Sequence, residues 1–438
     1  MDYKTIFFKN NSLKIFLIFL ILLSYYRSPF IFTSGRFYSL DYTYHLLSSS
    51  LSFFDSLTYV DFSARYMNLI SNISSLISSR LFKLEYAQYV SVYLSFLVYL
   101  MIFYQILFKK SYLFKRDYQK YLGSLICLVA PVMNHEIWLN VINLQVYLGI
   151  LGLVILFTKE EDNNSVNYFL LIISGLSGIY TCILTPLFFL KYLEKRNFSN
   201  LICFLVLFSC SLVQFIFIYM STDSNPIGDT NTALTLSFSK FEVISYYYNV
   251  VIRLFIGSSA LTYLMGFFDI NLYSVVNNES IKNLLFIIST LGLLLSIFFI
   301  SFCFTGIKNK KEKLIYLILL IYFVLVSFTV IFGGVSESLH GRYSSLPGII
   351  LIFSFLFLSN ASEVKWVKIF SLYLMISSIF FGLIDFRQAK YLDRLDCINC
   401  PNWSEEVEKY KLDKSYPLRI WPYLQPDGRG YRKDGYPN

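Results

Sequence analysis

Only three histidines occur in the 438 residues, His45, His135 and His340, and each has an ionisable neighbour. Asp41 precedes His45 by four residues, Glu136 adjoins His135, and Arg342 follows His340 by two. On a helix, Asp41 and His45 would share one face. A carboxylate so placed can take a proton from a hydroxyl group. A guanidinium can grip a phosphate through paired hydrogen bonds. Three histidines and a carboxylate could by type also hold zinc, although no ligand spacing marks such a site. For each residue the plainer alternative is a hydrogen-bonded structural role at a membrane surface. No phosphate-binding loop, G-x-G-x-x-G run or H-E-x-x-H run occurs. Cys397 and Cys400 form a C-x-x-C pair, which in an oxidising compartment closes a local disulfide. The other five cysteines sit in apolar runs or at their edges and read as small hydrophobes.

The elements that must position these groups are membrane spans. Apolar residues make up 56% of the chain and charged residues 15%, with a mean hydropathy of +0.56. Soluble domains carry about 25% charge, so a soluble enzyme, a secreted disulfide scaffold and a disordered chain are excluded. The net charge of +9 gathers in short clusters between apolar runs. It therefore points to membrane orientation rather than nucleic acid. The composition predicts an all-α polytopic membrane protein of about eleven spans, at 13–33, 86–108, 121–134, 143–157, 166–179, 181–192, 200–220, 283–305, 313–333, 343–359 and 367–384. The third to the sixth are short, and whether 166–192 makes two full spans is open. Gly175-Leu-Ser-Gly178 reads as a turn, and Pro186 is expected inside a helix. The first span follows Lys4, Lys9 and Lys14 without a small-x-small cleavage site, so it reads as an uncleaved anchor. Arg27, near its outer end, is expected to reach the interface.

The Lys/Arg asymmetry puts the N-terminus in the cytoplasm, together with the loops holding Lys109, Lys159, Lys195, Lys308 and Lys365. An odd span count then leaves the C-terminal tail outside. The chain divides into a transmembrane domain, 1–384, with long outer loops at 34–85 and 221–282, and an extracytoplasmic tail, 385–438. All three histidines fall on the outer side. Tyr66, Leu69, Ile70, Ile73, Leu76 and Ile77 make an apolar stripe at helical spacing, and Leu47, Leu51 and Phe54 a shorter one. Such helices either lie in the interface plane or pack under an outer domain. The polar, Trp- and Pro-containing tail reads as a small lid over the outer face.

Several segments together resemble bacterial polytopic proteins related to GT-C glycosyltransferases. Gly35-Arg-Phe-Tyr-Ser-Leu-Asp41 is similar to their first outer loop. Asn134-His-Glu-Ile-Trp-Leu-Asn-Val-Ile-Asn-Leu-Gln145 is similar to their second outer turn. Gly175–Gly178 with Pro186 resembles their Gly-rich hairpin, and His340-Gly-Arg-Tyr-Ser-Ser-Leu-Pro347 their Arg-Tyr segment entering a late span. Cys400-Pro-Asn-Trp403 and Ser415-Tyr-Pro-Leu-Arg-Ile-Trp-Pro422 resemble the tail of that group. One departure is visible: where the group has an acidic pair, Leu40-Asp41 offers a single carboxylate.

The resemblance implies an outward-facing active site in the bacterial cytoplasmic membrane. It implies a polyprenyl-phosphate-linked sugar as donor and a glycan, lipid or protein as acceptor, with membrane lipid as a further partner. Asp41 and Glu136 become the catalytic candidates, Asp41 as base. Arg36, Arg65, Arg253 and Arg342, with His45, His135 and His340, become the substrate-binding candidates. A divalent metal stays open and no other cofactor is implied. Two other classes remain: a lipid-glycan flippase, polymerase or transporter, and an inactive relative of such enzymes, to which the single carboxylate points.

Overall fold

The computed structural model describes residues 3–60, 66–131, 137–222, 240–257, 279–332, 341–387 and 401–421. Among them the architecture is all-helical, with isolated bridges and no strand. The helices are α1 (Tyr3–Arg27), α2 (Pro29–Thr33), α3 (Ser39–Ser50), α4 (Phe53–Leu57), α5 (Leu69–Leu81) and α6 (Leu84–Phe108). Then come α7 (Asp117–Val129), α8 (Gln145–Leu156), α9 (Ser165–Leu176), α10 (Ile179–Cys182), α11 (Thr185–Lys195), α12 (Phe198–Thr222) and α13 (Lys240–Tyr246), which runs into a π turn, Tyr247–Ile252. The last are α14 (Glu279–Thr305), α15 (Lys310–Phe332), α16 (Ser345–Ala361), α17 (Lys365–Asp385) and α18 (Trp403–Leu412).

Five of these, α6, α12, α14, α15 and α17, are long and apolar enough to cross a membrane. Expected span 343–359 meets α16 at its full 17 residues, and the other expected spans meet shorter or interrupted helices, several for local reasons. Ser28-Pro29 separates α1 from α2. Helix α7 stops at Val129, just ahead of Ala130-Pro131. Gly178, at φ +154°, turns the chain between α9 and α10, and a Cβ there would come within 2.6 Å of Gln145. Pro186 lies within a helix as expected, in the first turn of α11. Its missing N–H is no loss there.

Burial sorts the helices into two kinds. Helices α8 and α16 are apolar all round and buried along almost their whole length, so they form the centre of the bundle. Helices α12 and α14 expose bulky apolar side chains such as Phe215, Tyr219, Leu295 and Phe298. In water that surface would be a large apolar patch; against lipid it is the required one.

The basic loops meet at one end of the bundle. Ser111 bridges to Thr158, Lys115 pairs with Glu312 at 2.6 Å, and Lys308 pairs with Glu363. Tyr118 donates to Asn360, and the amide of Glu363 to Gly306. At the other end α5 packs on α6, α3 and α4 pack on α5, and the tail segment 401–421 folds over α3 and the start of α6. Helix α5 is turned opposite to ordinary amphipathic packing. Ser71, Asn72, Ser74, Ser75 and Ser78 are buried, while Ile73, Leu76 and Ile77 of the apolar stripe are only half-buried. Serines allow close helix approach, and an apolar outer face suits lipid. The second stripe is split at Leu51, because Ser52 caps α4 by accepting from the Asp55 amide.

Arg27 is turned into the protein. It is buried, donates to the Leu128 carbonyl at 2.9 Å, and stacks on Trp138 and Phe386 with centroid distances of 4.5 and 5.2 Å. Two aromatic faces and a carbonyl there replace water around the cation.

Candidate functional site

Asp41 stands in the first turn of α3, where a carboxylate complements the helix N-terminus. The chain reaches it through Gly35, which must lack a side chain because a Cβ would lie 2.6 Å from the Ile31 carbonyl oxygen. The Asp41 carboxylate accepts from the Ser91 hydroxyl of α6 and, at 3.2 Å, from the Ile142 amide. Ser91 Oγ in turn accepts from the Val141 amide at 3.4 Å. No cation pairs with Asp41 among the described residues. Burial pushes its carboxyl up to about 6, against the downward pull of these hydrogen bonds. A carboxylate in that range can hold or release a proton near neutral pH.

Beside it lies a small, partly open chamber of about 20 Å³, walled by Arg36, Asp41, Gln88, Ser91, Trp138, Asn140 and Trp421 among others. That is room for about one water molecule. Trp421 comes from the tail. Its amide donates to the Phe37 carbonyl at 2.8 Å, and it bridges to Tyr38.

Arg36 is turned toward the tail. It pairs with Glu406 of α18 at 2.6 Å, donates to the Arg419 carbonyl at 2.9 Å and to the Pro401 carbonyl, and its guanidinium lies 5.8 Å from the Trp403 ring centre. Arg36 and Glu406 are both buried. Phe37, Tyr42, Ala87, Trp403, Val407, Leu418 and Ile420 form a small apolar core around this latch.

His45 shares α3 with Asp41, as the spacing predicts, yet its Nδ1 meets Ser78 Oγ of α5 at 2.9 Å and its ring packs on Phe37. Burial lowers its pKa to about 4, so the imidazole is neutral at pH 7. Arg253 follows the π turn, donates to Asn249 Oδ1 at 3.5 Å, and is not among the residues that wall the chamber. Arg342 falls in a 3-10 turn, Gly341–Ser344, that leads into α16. Glu136, Arg65, His135, His340, Cys397 and Cys400 lie outside the described residues. Of the candidates, then, Asp41 and Arg36 meet at one chamber and His45 lies one helical turn away. No group of three or more His, Cys, Asp or Glu able to hold a metal ion occurs among the described residues.

Gln88, Ser91, Trp138, Trp421 and Glu406 complete the site and were not singled out from the sequence. For two of them a signal exists. Gln88, Ser91 and Ser95 recur at helical spacing along an apolar span and mark a buried polar face.

The comparisons give no family. No protein-family model, curated protein or solved structure matches the chain.

Proposed function

We propose that the chain is a GT-C-type membrane glycosyltransferase with about eleven crossings, its N-terminus in the cytoplasm and its tail outside. It takes a sugar from a polyprenyl-phosphate donor and passes it to a glycan, lipid or protein hydroxyl at the outer face of the cytoplasmic membrane. One observation carries the reading: a buried carboxylate with no ion-pair partner among the described residues and a pKa near 6, held by a hydroxyl and backbone amides at the end of a membrane bundle. In the proposed step Asp41 takes the acceptor hydroxyl proton as that oxygen attacks the anomeric carbon. The bond from that carbon to the phosphate oxygen breaks, with its electron pair leaving on the phosphate. A general base positioned this way contributes roughly a hundredfold or more. Arg342, Arg65 and Arg253 are the candidate phosphate cations, since Arg36 is held by Glu406.

A second feature supports a lipid-linked substrate. On the other side of α2 and α6 runs an open apolar groove of about 610 Å³, lined by Phe32, Ile77, Phe82, Tyr86, Tyr89 and Tyr93 among others. Ile31 walls the Asp41 chamber while its neighbour Phe32 walls the groove. A polyprenyl chain lying there would hold its phosphate end beside the segment that carries Asp41.

The smallness of the chamber favours a second reading, an inactive relative. Reconstituted protein with a short-chain polyprenyl-phosphate hexose decides between them. On the first reading Asp41→Asn lowers turnover about a hundredfold or more, with donor affinity and melting temperature unimpaired. Absence of transfer by wild-type protein across a panel of acceptors would favour the second. For orientation, a Lys310→Cys variant in intact cells should resist an impermeant thiol reagent; strong labelling would reverse the topology.

A further inference from the structure

Two cations stand at the end of the apolar groove where α5 gives way to α6. Ile77 of α5, the connecting Phe82, and Tyr86 and Leu97 of α6 line that groove. Arg80 follows Ile77 by three residues on α5, and Lys83, the N-cap of α6, precedes Tyr86 by three. Helix positions three apart are surface neighbours. Both cations are exposed, and neither forms an ion pair among the described residues. Arg80 donates to the Leu51 carbonyl at 2.8 Å. The acid in the first turn of α6, Glu85, is taken by Lys411. This end of the bundle lies opposite the basic loops.

The groove has the dimensions of one leaflet. From Tyr86 to Leu97 it follows α6 for about 17 Å, at about 1.5 Å per residue. Half of a bilayer's hydrocarbon core is about 15 Å deep. A helix of that length and about 10 Å across would fill on the order of 1,300 Å³. That is about twice the 610 Å³ available, whereas an extended hydrocarbon chain is slender enough. The wall is already in place, since the Tyr89 hydroxyl ties α6 to the last residue of α2 by donating to the Thr33 carbonyl at 2.7 Å.

We propose that this groove binds one anionic phospholipid, with an acyl chain along α6 and its phosphate at Arg80 and Lys83. The guanidinium can meet two phosphate oxygens and the ammonium adds a point charge. With Glu85 neutralised by Lys411, the surplus is positive, so a lipid of net negative charge fits best. A zwitterionic lipid would bring its own ammonium against these cations. Lys83 precedes Ser91, the hydroxyl partner of Asp41, by about 12 Å along α6. A phosphate held there is too far for chemistry at Asp41, so the lipid is a resident and not a substrate. A polyprenyl donor entering the groove would displace it. The inference does not depend on the glycosyl-transfer reading.

The test uses full-length protein, delipidated in detergent and given defined lipids, with binding read by native mass spectrometry. Wild type should bind one phosphatidylglycerol about tenfold more tightly than phosphatidylethanolamine, as two surface cations imply. The double variant Arg80→Gln/Lys83→Gln should lose that preference. Val90→Trp, which fills the groove from α6, should weaken both lipids. Lys310→Gln/Lys311→Gln, at the opposite end, controls for diffuse attraction and should leave the preference intact. Equal affinities in wild type would overturn the proposal, as would a preference that survives loss of Arg80 and Lys83 or falls as far in the control. Binding of polyprenyl phosphate without phosphatidylglycerol would give the groove to the donor alone and overturn it too. Should a variant fail to fold, wild type decides by itself. Phosphatidylglycerol with a diazirine in its acyl chain should crosslink within 82–97, and crosslinks confined to other segments would refute the site. Absence of sugar transfer would end the glycosyl-transfer reading and leave these bindings to be judged on their own.

Discussion

Arg36 and Asp41 stand on one short stretch of chain, and both are buried charges, yet their surroundings are opposite. Arg36 is well partnered: a carboxylate, two carbonyls and an aromatic face meet its guanidinium. Asp41 has a hydroxyl, backbone amides and, among the described residues, no cation. A buried charge met by an opposite charge and several acceptors is held in one place, which is what a fastening needs. A buried charge with neutral partners only is left with a pKa near neutrality, which is what proton transfer needs. The contrast assigns Arg36 and Glu406 to holding the tail and leaves Asp41 for chemistry, although from the sequence both were candidates for the same site.

The sharpest way to break this comparison is to remove one carboxylate at a time. Glu406→Gln leaves Arg36 buried without its counter-charge, and losing one member of a buried pair costs about 3–5 kcal/mol. A clear drop in melting temperature is expected, together with protease access to the tail. Replacing both partners by leucine should recover most of the loss, because the desolvation of two charges vanishes with them. Asp41→Asn should not destabilise at pH 7 at all. A large loss of stability there would mean that Asp41 is as structural as Glu406.

The next effect is on pH dependence. The native Asp41 carboxyl protonates near 6 and the unfolded one near 3.8. Between those values the native state binds more protons, so this group makes stability fall as pH rises from about 4 to about 6. His45 works in the opposite sense. Its native pKa of about 4 lies below the ordinary 6.5, so its contribution is complete above 6.5 and is lost as pH falls toward 4. Each term is worth about 3 kcal/mol, from about 1.4 kcal/mol for each pH unit between the two values. The two nearly cancel in the wild type. Relative to wild type, Asp41→Asn should therefore gain stability with rising pH between 4 and 6.5, and His45→Gln should lose it. Melting temperatures at several pH values check both; slopes of the same sign would refute the two environments inferred here.

Much of the frame was legible because it rests on strong periodic signals. The apolar runs became helices, the basic loops gathered at one end, and the four-residue spacing put Asp41 and His45 on one helix. What the sequence concealed depends on pairing across hundreds of residues. Glu405, Glu406 and Glu408 are neighbours in one short helix, and only the docking angle of α18 decides that Glu406 faces Arg36. Trp421 reads as one more tail aromatic until the fold places it beside Asp41. The α5 stripe left two packings open, and the fold shows a mixed one: Ile70 and the serines are buried, while Ile73, Leu76 and Ile77 are half-buried.

The smallest expected effect sharpens the comparison from its edge. Lys411 of α18 pairs with Glu85 at the start of α6, so it too joins the tail to the bundle. By sequence separation and charge it looks equivalent to the Arg36–Glu406 pair. Its lysine is half exposed, however, where water and salt screen the attraction, and holding a long side chain in place costs entropy. Such pairs contribute about 0–1 kcal/mol. Lys411→Ala should therefore barely shift the melting temperature, and raising the salt concentration should abolish even that shift. The Arg36–Glu406 pair, shielded from ions, should be insensitive to salt. A Lys411→Ala variant whose tail became as accessible to protease as that of Glu406→Gln would mean that the tail is fastened at its rim and not through the buried pair, and the contrast between a well-partnered fastening and a poised acid would lose its first half.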